Sequence, residues 1–115
     1  MNKKYALITG GTAGIGLDIA RELAKQGHNI LLTARREERL KEISASLKEE
    51  FNVDANYITA DLAKVSAPEM IYNFCSENNY IVEILVNNAG YSINKKFHET
   101  GEDEEEKFLR VLGIA

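Results

Sequence analysis

The apolar residues of the chain follow two alternating patterns, short continuous runs and segments with helical periodicity. The continuous runs are typical of strands that are buried on both faces, and they predict strands over residues 5–8, 29–34, 53–59 and 81–86. The periodic segments predict helices that begin near residues 14, 36, 66 and 102. This strict alternation predicts an α/β fold, in which helices cover both faces of a parallel sheet with right-handed crossovers.

One apolar face is predicted on each of the first two helices. On the first helix the apolar residues at helical spacing are Ile15, Ile19, Leu23, Ala20 and Ala24. On the second helix, which is predicted from Arg36, they are Leu40, Ile43, Leu47 and Phe51. Gly27 follows the first helix and is predicted to be its C-cap.

The second half of the chain carries a start signal for the third helix and a long polar connection. Ser66 and Glu69 form a potential capping box, and Pro68 is well suited to the first helical turn. This helix is predicted to last to about Asn78. A loop is predicted between Asn87 and about Gly101, before the last helix.

Composition and charge limit the possible classes of protein. The 115 residues suffice for one domain, and 44% hydrophobic with 28% charged residues is ordinary for a soluble globular chain. A net charge of −4 argues against a nucleic-acid partner, and no apolar run is long enough for a membrane helix. The lone Cys75, in an apolar row, is interpreted as a core residue of a protein in a reducing, cytoplasmic compartment. His28 and His98 have no partners at ligand spacing, so no metal site is predicted.

Three glycines directly after the first strand indicate a phosphate-binding loop. Gly10, Gly14 and Gly16 lie between a strand and a helix, where unpaired N–H groups and the helix dipole attract a pyrophosphate. The spacing Thr-Gly-x-x-x-Gly-x-Gly differs from the Gly-x-Gly-x-x-Gly of most dinucleotide sites, and no Gly-Lys-Ser/Thr of a P-loop follows. The alternative is an ordinary strand-to-helix turn that is rich in glycine.

The glycine spacing, together with two later motifs, resembles the short-chain dehydrogenase/reductase family. Asp61-Leu62 follows the third strand, as the adenine site of that family does, and Asn87-Asn88-Ala89-Gly90 follows the fourth. The resemblance covers Lys4 to Ala115 and implies a Rossmann-type doubly wound sheet, of strand order 3-2-1-4 in this chain. Residues 1–115 would then be the NAD(P)-binding half. An Asp in this place can also be a simple turn residue. The cofactor-binding residues that the resemblance implies are Gly10, Thr12, Gly14, Ile15, Gly16, Arg35, Arg36, Asp61, Leu62, Asn88, Ala89 and Gly90.

The end of the second strand indicates which dinucleotide is bound. Arg35 lies nineteen positions after Gly16, and Ala34 stands where members of the family that prefer NAD carry an acid. A guanidinium suits a 2′-phosphate, so Arg35, supported by Arg36 or Arg39, predicts NADP(H) as the cofactor. The alternative is that these arginines only belong to the solvated start of a helix.

The catalytic serine and Tyr-x-x-x-Lys pair of the family are expected beyond the Asn-Asn-Ala-Gly motif. The string from Tyr91 to Lys95 follows Gly90 at once, in a predicted loop, whereas the pair needs consecutive helical turns. Ala115 stands where the family often has an asparagine. We therefore predict no catalytic residue in this chain, and no activity from the chain alone.

The resemblance implies that the parent protein is an NADP-dependent oxidoreductase acting on a small carbonyl or alcohol substrate. A non-catalytic dinucleotide sensor is the alternative on the same half-fold, and a methyltransferase is disfavoured by Arg35. A homo-oligomer is also expected. Its predicted contacts are the fourth strand, as an open sheet edge, and the apolar residues Phe108, Leu109 and Leu112 of the last helix.

Overall fold

A sheet with strand order β3-β2-β1-β4-β5 organises the chain. The computed structural model describes residues 3–10, 12, 14–61, 64–87 and 94–96. Along the chain the elements are β1 (Lys3–Thr9), α1 (Gly14–Lys25), β2 (Asn29–Ala34), α2 (Glu37–Phe51), β3 (Ala55–Thr59), α3 (Ala67–Glu77), β4 (Tyr80–Asn87) and β5 (Asn94–Lys96). The pairings among β1 to β4 are parallel, which confirms the predicted order 3-2-1-4 and the Rossmann-type α/β architecture.

Helices pack on both faces of the sheet, as the alternating pattern predicts. Along β1, Ala6 and Ile8 join the core under α1 and α2, whereas Tyr5 and Leu7 join the core under α3. The helical side of the first core includes Ala20, Ala24, Leu40, Ile43 and Leu47. The second core receives Ala67, Ile71 and Cys75 from α3. No helix in the described part of the chain has the length and apolarity to cross a membrane.

The buried face of α1 differs from the predicted one at Ile15. Gly16, Ala20 and Ala24 are the buried residues of α1, and Leu17, Ile19 and Leu23 pack beside them. Ile15 is 65% exposed. The buried row repeats every four residues from Gly16, and Ile15 lies about 100° around the helix from that glycine. Apolar character alone therefore misassigned this side chain.

The start of α3 lacks the predicted capping box. Ser66 has helical dihedrals, φ −78° and ψ −11°, and its side chain makes no capping hydrogen bond. An N-cap that caps with its side chain needs an extended backbone, which this residue does not have. The turn before the helix instead runs directly into it, because Ala67 N–H donates to the Lys64 carbonyl at 3.2 Å. Pro68 does lie in the first turn, as predicted.

A short strand occupies part of the predicted loop between residues 87 and 101. β5 pairs antiparallel with Ile84, Leu85 and Val86 of β4, so this part of the fourth strand is not the open edge that the sequence predicts. The unpaired backbone groups of an edge strand recruit such a partner irrespective of its side chains. The last helix, predicted from Glu102, lies outside the described residues.

Candidate dinucleotide-binding site

The carboxyl ends of β1 to β4 meet at one edge of the sheet, and most of the predicted site residues follow these ends. The register pairs Thr9 with Thr33 on β2 and with Asn87 on β4. β3 ends in register with β2, where Ala34 pairs with Thr59. Ligands of open parallel sheets bind at this edge, beside the strand at which the order reverses. Here that strand is β1, which carries the glycine loop.

Two glycines of the loop have backbone conformations that other residues rarely adopt. Gly10 has φ +66° and Gly14 has φ +59°, both in the left-handed region. The N–H of Gly10 donates to the Thr33 carbonyl at 2.8 Å, which anchors the start of the loop to β2. A Cβ at Gly14 would meet no atom of the described residues within 4 Å. The dihedral angle therefore requires glycine there, at a cost of roughly 1–2 kcal/mol for another residue.

Gly14 begins α1, and the space that a Cβ of this residue would point into is not filled by described residues. The N–H groups of this first turn have no partner within the helix. Gly16 is buried in α1 against the sheet, so the third glycine serves close packing of helix and sheet. Thr12, between Gly10 and Gly14, is half-buried. Ile15 is exposed at the same end of α1, which is compatible with its place among the predicted site residues although not with the predicted helix face.

Two exposed arginines follow β2. Arg35 directly follows the last residue of β2, and Arg36 is the N-cap residue of α2 with an extended backbone, φ −97° and ψ 104°. Within the described part of the chain, neither guanidinium has a hydrogen bond or an ion pair. Glu37 and Glu38 supply the acids that the N-terminus of α2 favours. As far as the described residues show, the side chains of both arginines thus serve neither packing nor capping.

Arg39 differs from the other two arginines because it contacts the glycine loop. Its Nη2 donates to the carbonyl oxygen of Thr12 at 3.0 Å, across 27 positions of sequence. The sequence places Arg39 only as a possible support of the 2′-phosphate. The contact with Thr12 depends on how α2 packs beside α1, and no local pattern predicts it.

A buried hydrogen bond joins the ends of β1 and β4. The Thr9 hydroxyl donates to the side-chain oxygen of Asn87 at 3.0 Å, and both residues are buried. The bond therefore fastens β1 to β4 at the point where the Asn-Asn-Ala-Gly motif begins. The remaining predicted residues of that motif, Asn88, Ala89 and Gly90, lie outside the described residues.

Asp61 lies where the third strand leaves the sheet. Its preceding residue, Ala60, donates its N–H to the Ala34 carbonyl at 2.9 Å, and so keeps this segment beside the end of β2. The Asp61 carbonyl accepts from Lys64 N–H at 2.9 Å in a turn. Asp61 is half-buried, and the predicted neighbour Leu62 lies outside the described residues.

Neither Cys75 nor Lys95 is placed for a chemical role. Burial raises the pKa of the Cys75 thiol to about 12, which makes it an inert core residue as expected. Lys95 lies in the strand β5, not in a helix, so it has no place in a helical Tyr-x-x-x-Lys pair. Tyr91 lies outside the described residues. Among the residues that the structure describes, no three potential metal ligands come together.

Comparison with known proteins identifies the family. The family model for short chain dehydrogenases matches residues 4–112. The chain is 40% identical over 89 residues to the very-long-chain 3-oxoacyl-CoA reductase of Rattus norvegicus, covering 77% of this chain and 28% of that protein. It is 37% identical over 97 residues to a fatty acyl-CoA reductase of Acinetobacter baylyi, covering 84% of this chain and 32% of that protein.

Solved structures resemble the chain in the same way. L-sorbose reductase from Gluconobacter frateurii, complexed with NADPH and L-sorbose, has a TM-score of 0.69 and 39% identity, over 93% of this chain and 40% of that one. A short-chain dehydrogenase from Sphingobium yanoikuyae, in complex with NADPH, has a TM-score of 0.67 and 32% identity, over 97% of this chain and 42% of that one. The chain thus spans about a third of the length of the two reductases matched by sequence. By its family model, its glycine loop and its sheet, the chain belongs to the short-chain dehydrogenase/reductase family.

Proposed function

We propose that residues 1–115 are the NADP(H)-binding part of an oxidoreductase that transfers a hydride between the nicotinamide cofactor and a small carbonyl or alcohol substrate. The observation that carries the proposal is the position of Arg35. Its guanidinium has no side-chain partner in the described part of the chain, and it follows β2 at the edge that also bears the glycine loop.

The described residues fit a dinucleotide in three ways. The open space at Gly14, in front of the first turn of α1, would admit the pyrophosphate close to unpaired N–H groups. Arg35 and Arg36 would hold a 2′-phosphate by paired N–H donors. Asp61, two residues after the end of β3, would accept a hydrogen bond from the adenine amino group. The bound cofactor supplies the hydride chemistry, and these residues bind and orient it.

The preference for NADP rests on charge. A carboxylate at the end of β2 would accept a bond from a ribose hydroxyl and repel a 2′-phosphate. This chain has the small Ala34 followed by two arginines, so guanidinium groups and no carboxylate stand at this position. NADPH complexes of L-sorbose reductase and of the Sphingobium yanoikuyae dehydrogenase are consistent with this assignment.

The substrate class follows from the relatives in coarse terms only. The relatives matched by sequence and the sorbose-bound structure are named as reductases, and one name specifies a 3-oxoacyl group. We propose a carbonyl compound or the corresponding alcohol, bound by residues beyond the four parallel strands. A cytoplasmic location is proposed with it, on the grounds of the free and buried Cys75.

The test is a calorimetric titration of the protein with NADPH and, separately, with S-adenosylmethionine. Saturable binding of NADPH and none of S-adenosylmethionine supports the dinucleotide assignment over the methyltransferase alternative. Oxidation of NADPH by the parent protein in the presence of aldehydes or ketones then separates an enzyme from a sensor. Binding of S-adenosylmethionine in preference to NADPH would contradict the proposal.

A further inference from the structure

Arg39 is placed unusually for a surface arginine. It lies in the first turn of α2, where the helix dipole makes a positive charge mildly unfavourable. Its side chain is exposed, yet it reaches the backbone of the loop between β1 and α1 instead of an acidic neighbour. Stabilisation of α2 therefore does not account for an arginine at this position, whereas the contact with the glycine loop does.

The bonded atom is a carbonyl oxygen inside a loop that precedes a helix N-terminus. A carbonyl oxygen carries partial negative charge. In an anion-binding loop it therefore reduces the positive electrostatic potential that attracts the anion. The Arg39 Nη2, at 3.0 Å from the Thr12 oxygen, engages this oxygen and brings a permanent positive charge beside the loop. The bond also ties the loop to α2, the helix that follows Arg35 and Arg36.

We propose that Arg39 is a positioning residue of the phosphate loop, not a ligand of the 2′-phosphate. By holding the Thr12 carbonyl, it favours the loop conformation that receives the pyrophosphate. Both NADPH and NADH contain the pyrophosphate, so Arg39 strengthens the binding of both, whereas Arg35 discriminates between them. This inference rests on the proposed function above.

Four single variants separate the roles of charge, contact and position. Arg39→Gln removes the charge, and Arg39→Lys keeps the charge with a different donor. Arg35→Gln reports on the 2′-phosphate. Lys41→Gln, an exposed residue of the same helix, removes one positive charge elsewhere and serves as the matched control. Far-UV circular dichroism verifies that each variant is folded.

The measurement is the Kd of NADPH, NADH and adenosine 2′-monophosphate at one fixed ionic strength. Arg39→Gln should raise the Kd of both dinucleotides about tenfold, by a similar factor, as expected for a lost hydrogen bond to a charged group. The Kd of adenosine 2′-monophosphate should stay unchanged, since that nucleotide has no pyrophosphate. Arg39→Lys should recover a large part of the loss, and Lys41→Gln should change neither dinucleotide by more than about twofold.

Two results would overturn the inference while the proposed function stands. A loss confined to NADPH and adenosine 2′-monophosphate would make Arg39 a ligand of the 2′-phosphate. Unchanged binding of both dinucleotides by Arg39→Gln would show that the contact with Thr12 contributes nothing. If the unmodified protein binds neither dinucleotide, the proposed function fails and this inference fails with it.

Discussion

Thr9 and Asn87, which end neighbouring parallel strands, are joined by a buried side-chain hydrogen bond of 3.0 Å. Thr9 immediately precedes the glycine loop, and Asn87 opens the Asn-Asn-Ala-Gly motif. The bond therefore couples the two strand ends from which the two strongest family motifs depart. Thr33, in register with Thr9 on β2, is equally buried, but its hydroxyl has no partner among the described residues.

These two threonines give a matched pair of substitutions. Thr9→Val should lower the free energy of unfolding by about 1–3 kcal/mol, because it leaves the Asn87 oxygen buried without its donor. Thr33→Val should raise it by about 1 kcal/mol, because it removes an unpaired buried hydroxyl and keeps the branched shape. Urea unfolding of both variants measures the difference. Equal destabilisation by the two substitutions would contradict the assigned hydrogen bonding.

Asp54, near the amino ends of the parallel strands, is expected to make the protein less stable in acid. The Asp54 carboxylate accepts hydrogen bonds from the Lys3 ammonium and from the Tyr5 hydroxyl. These bonds hold the pKa of Asp54 below the ordinary 3.8, and the bond from Lys3 has the larger effect. The folded state thus favours the charged form, so the stabilisation is present above the ordinary pKa and is lost as the pH falls through the lowered one. Because Lys3 is largely exposed, added salt should weaken the effect.

Unfolding measured between neutral pH and pH 2 checks this acid dependence. Asp54→Asn should flatten the decline in stability on the acid side. Asp18→Asn, which alters an exposed carboxylate on α1, is the control and should leave the decline in place. An identical acid profile for Asp54→Asn and the unmodified protein would be evidence against the role of this ion pair.

The chain of 115 residues, assayed alone, is expected to reduce no carbonyl compound. The reason is local: Lys95 lies in β5, where it pairs with Leu85, and cannot support a tyrosine one helical turn away. NADPH absorbance is followed with a panel of aldehydes and ketones. A rate above that of buffer, abolished by Tyr91→Phe, would refute the prediction.

Self-association of the chain remains a prediction, and the open edge on which it depends is shorter than the sequence suggests. β5 covers Ile84 to Val86, which leaves the amino-terminal part of β4, including the exposed Ile81, without a described partner on that side. Light scattering over a dilution series should show a mass that falls with dilution. Ile81→Lys should shift the series towards monomer, because charge on an edge strand opposes pairing. A constant monomeric mass at micromolar concentration would contradict the prediction.

The sequence predicts the sheet well because its strands are marked by their own residues. β2 has the predicted bounds, since a continuous apolar run is typical of a strand that helices cover on both faces. β5 carries no such mark: Asn94, Lys95 and Lys96 are polar, and the strand forms through the unpaired edge of β4. Local patterns reveal an element when its own side chains drive its burial, and not when a neighbour's backbone does.

The candidate site likewise has features that local sequence predicts and features that depend on long-range packing. Gly10 and Gly14 were predictable because the spacing and the required dihedral angles are local properties. The contact of Arg39 with Thr12 spans 27 positions and depends on the packing of two helices. The capping box at Ser66 failed for a related reason, since the preceding turn sets the backbone of that residue.

The central claim is that this chain binds NADP(H) through Arg35 at the carboxyl end of β2. The most direct test compares the Kd of NADPH and NADH for the unmodified protein, Arg35→Ala and the control Lys41→Ala. The account predicts tighter binding of NADPH by the unmodified protein and a loss of about 1.5–3 kcal/mol for NADPH alone in Arg35→Ala. Equal affinity of the unmodified protein for the two dinucleotides, or an equal loss for both in Arg35→Ala, would contradict it.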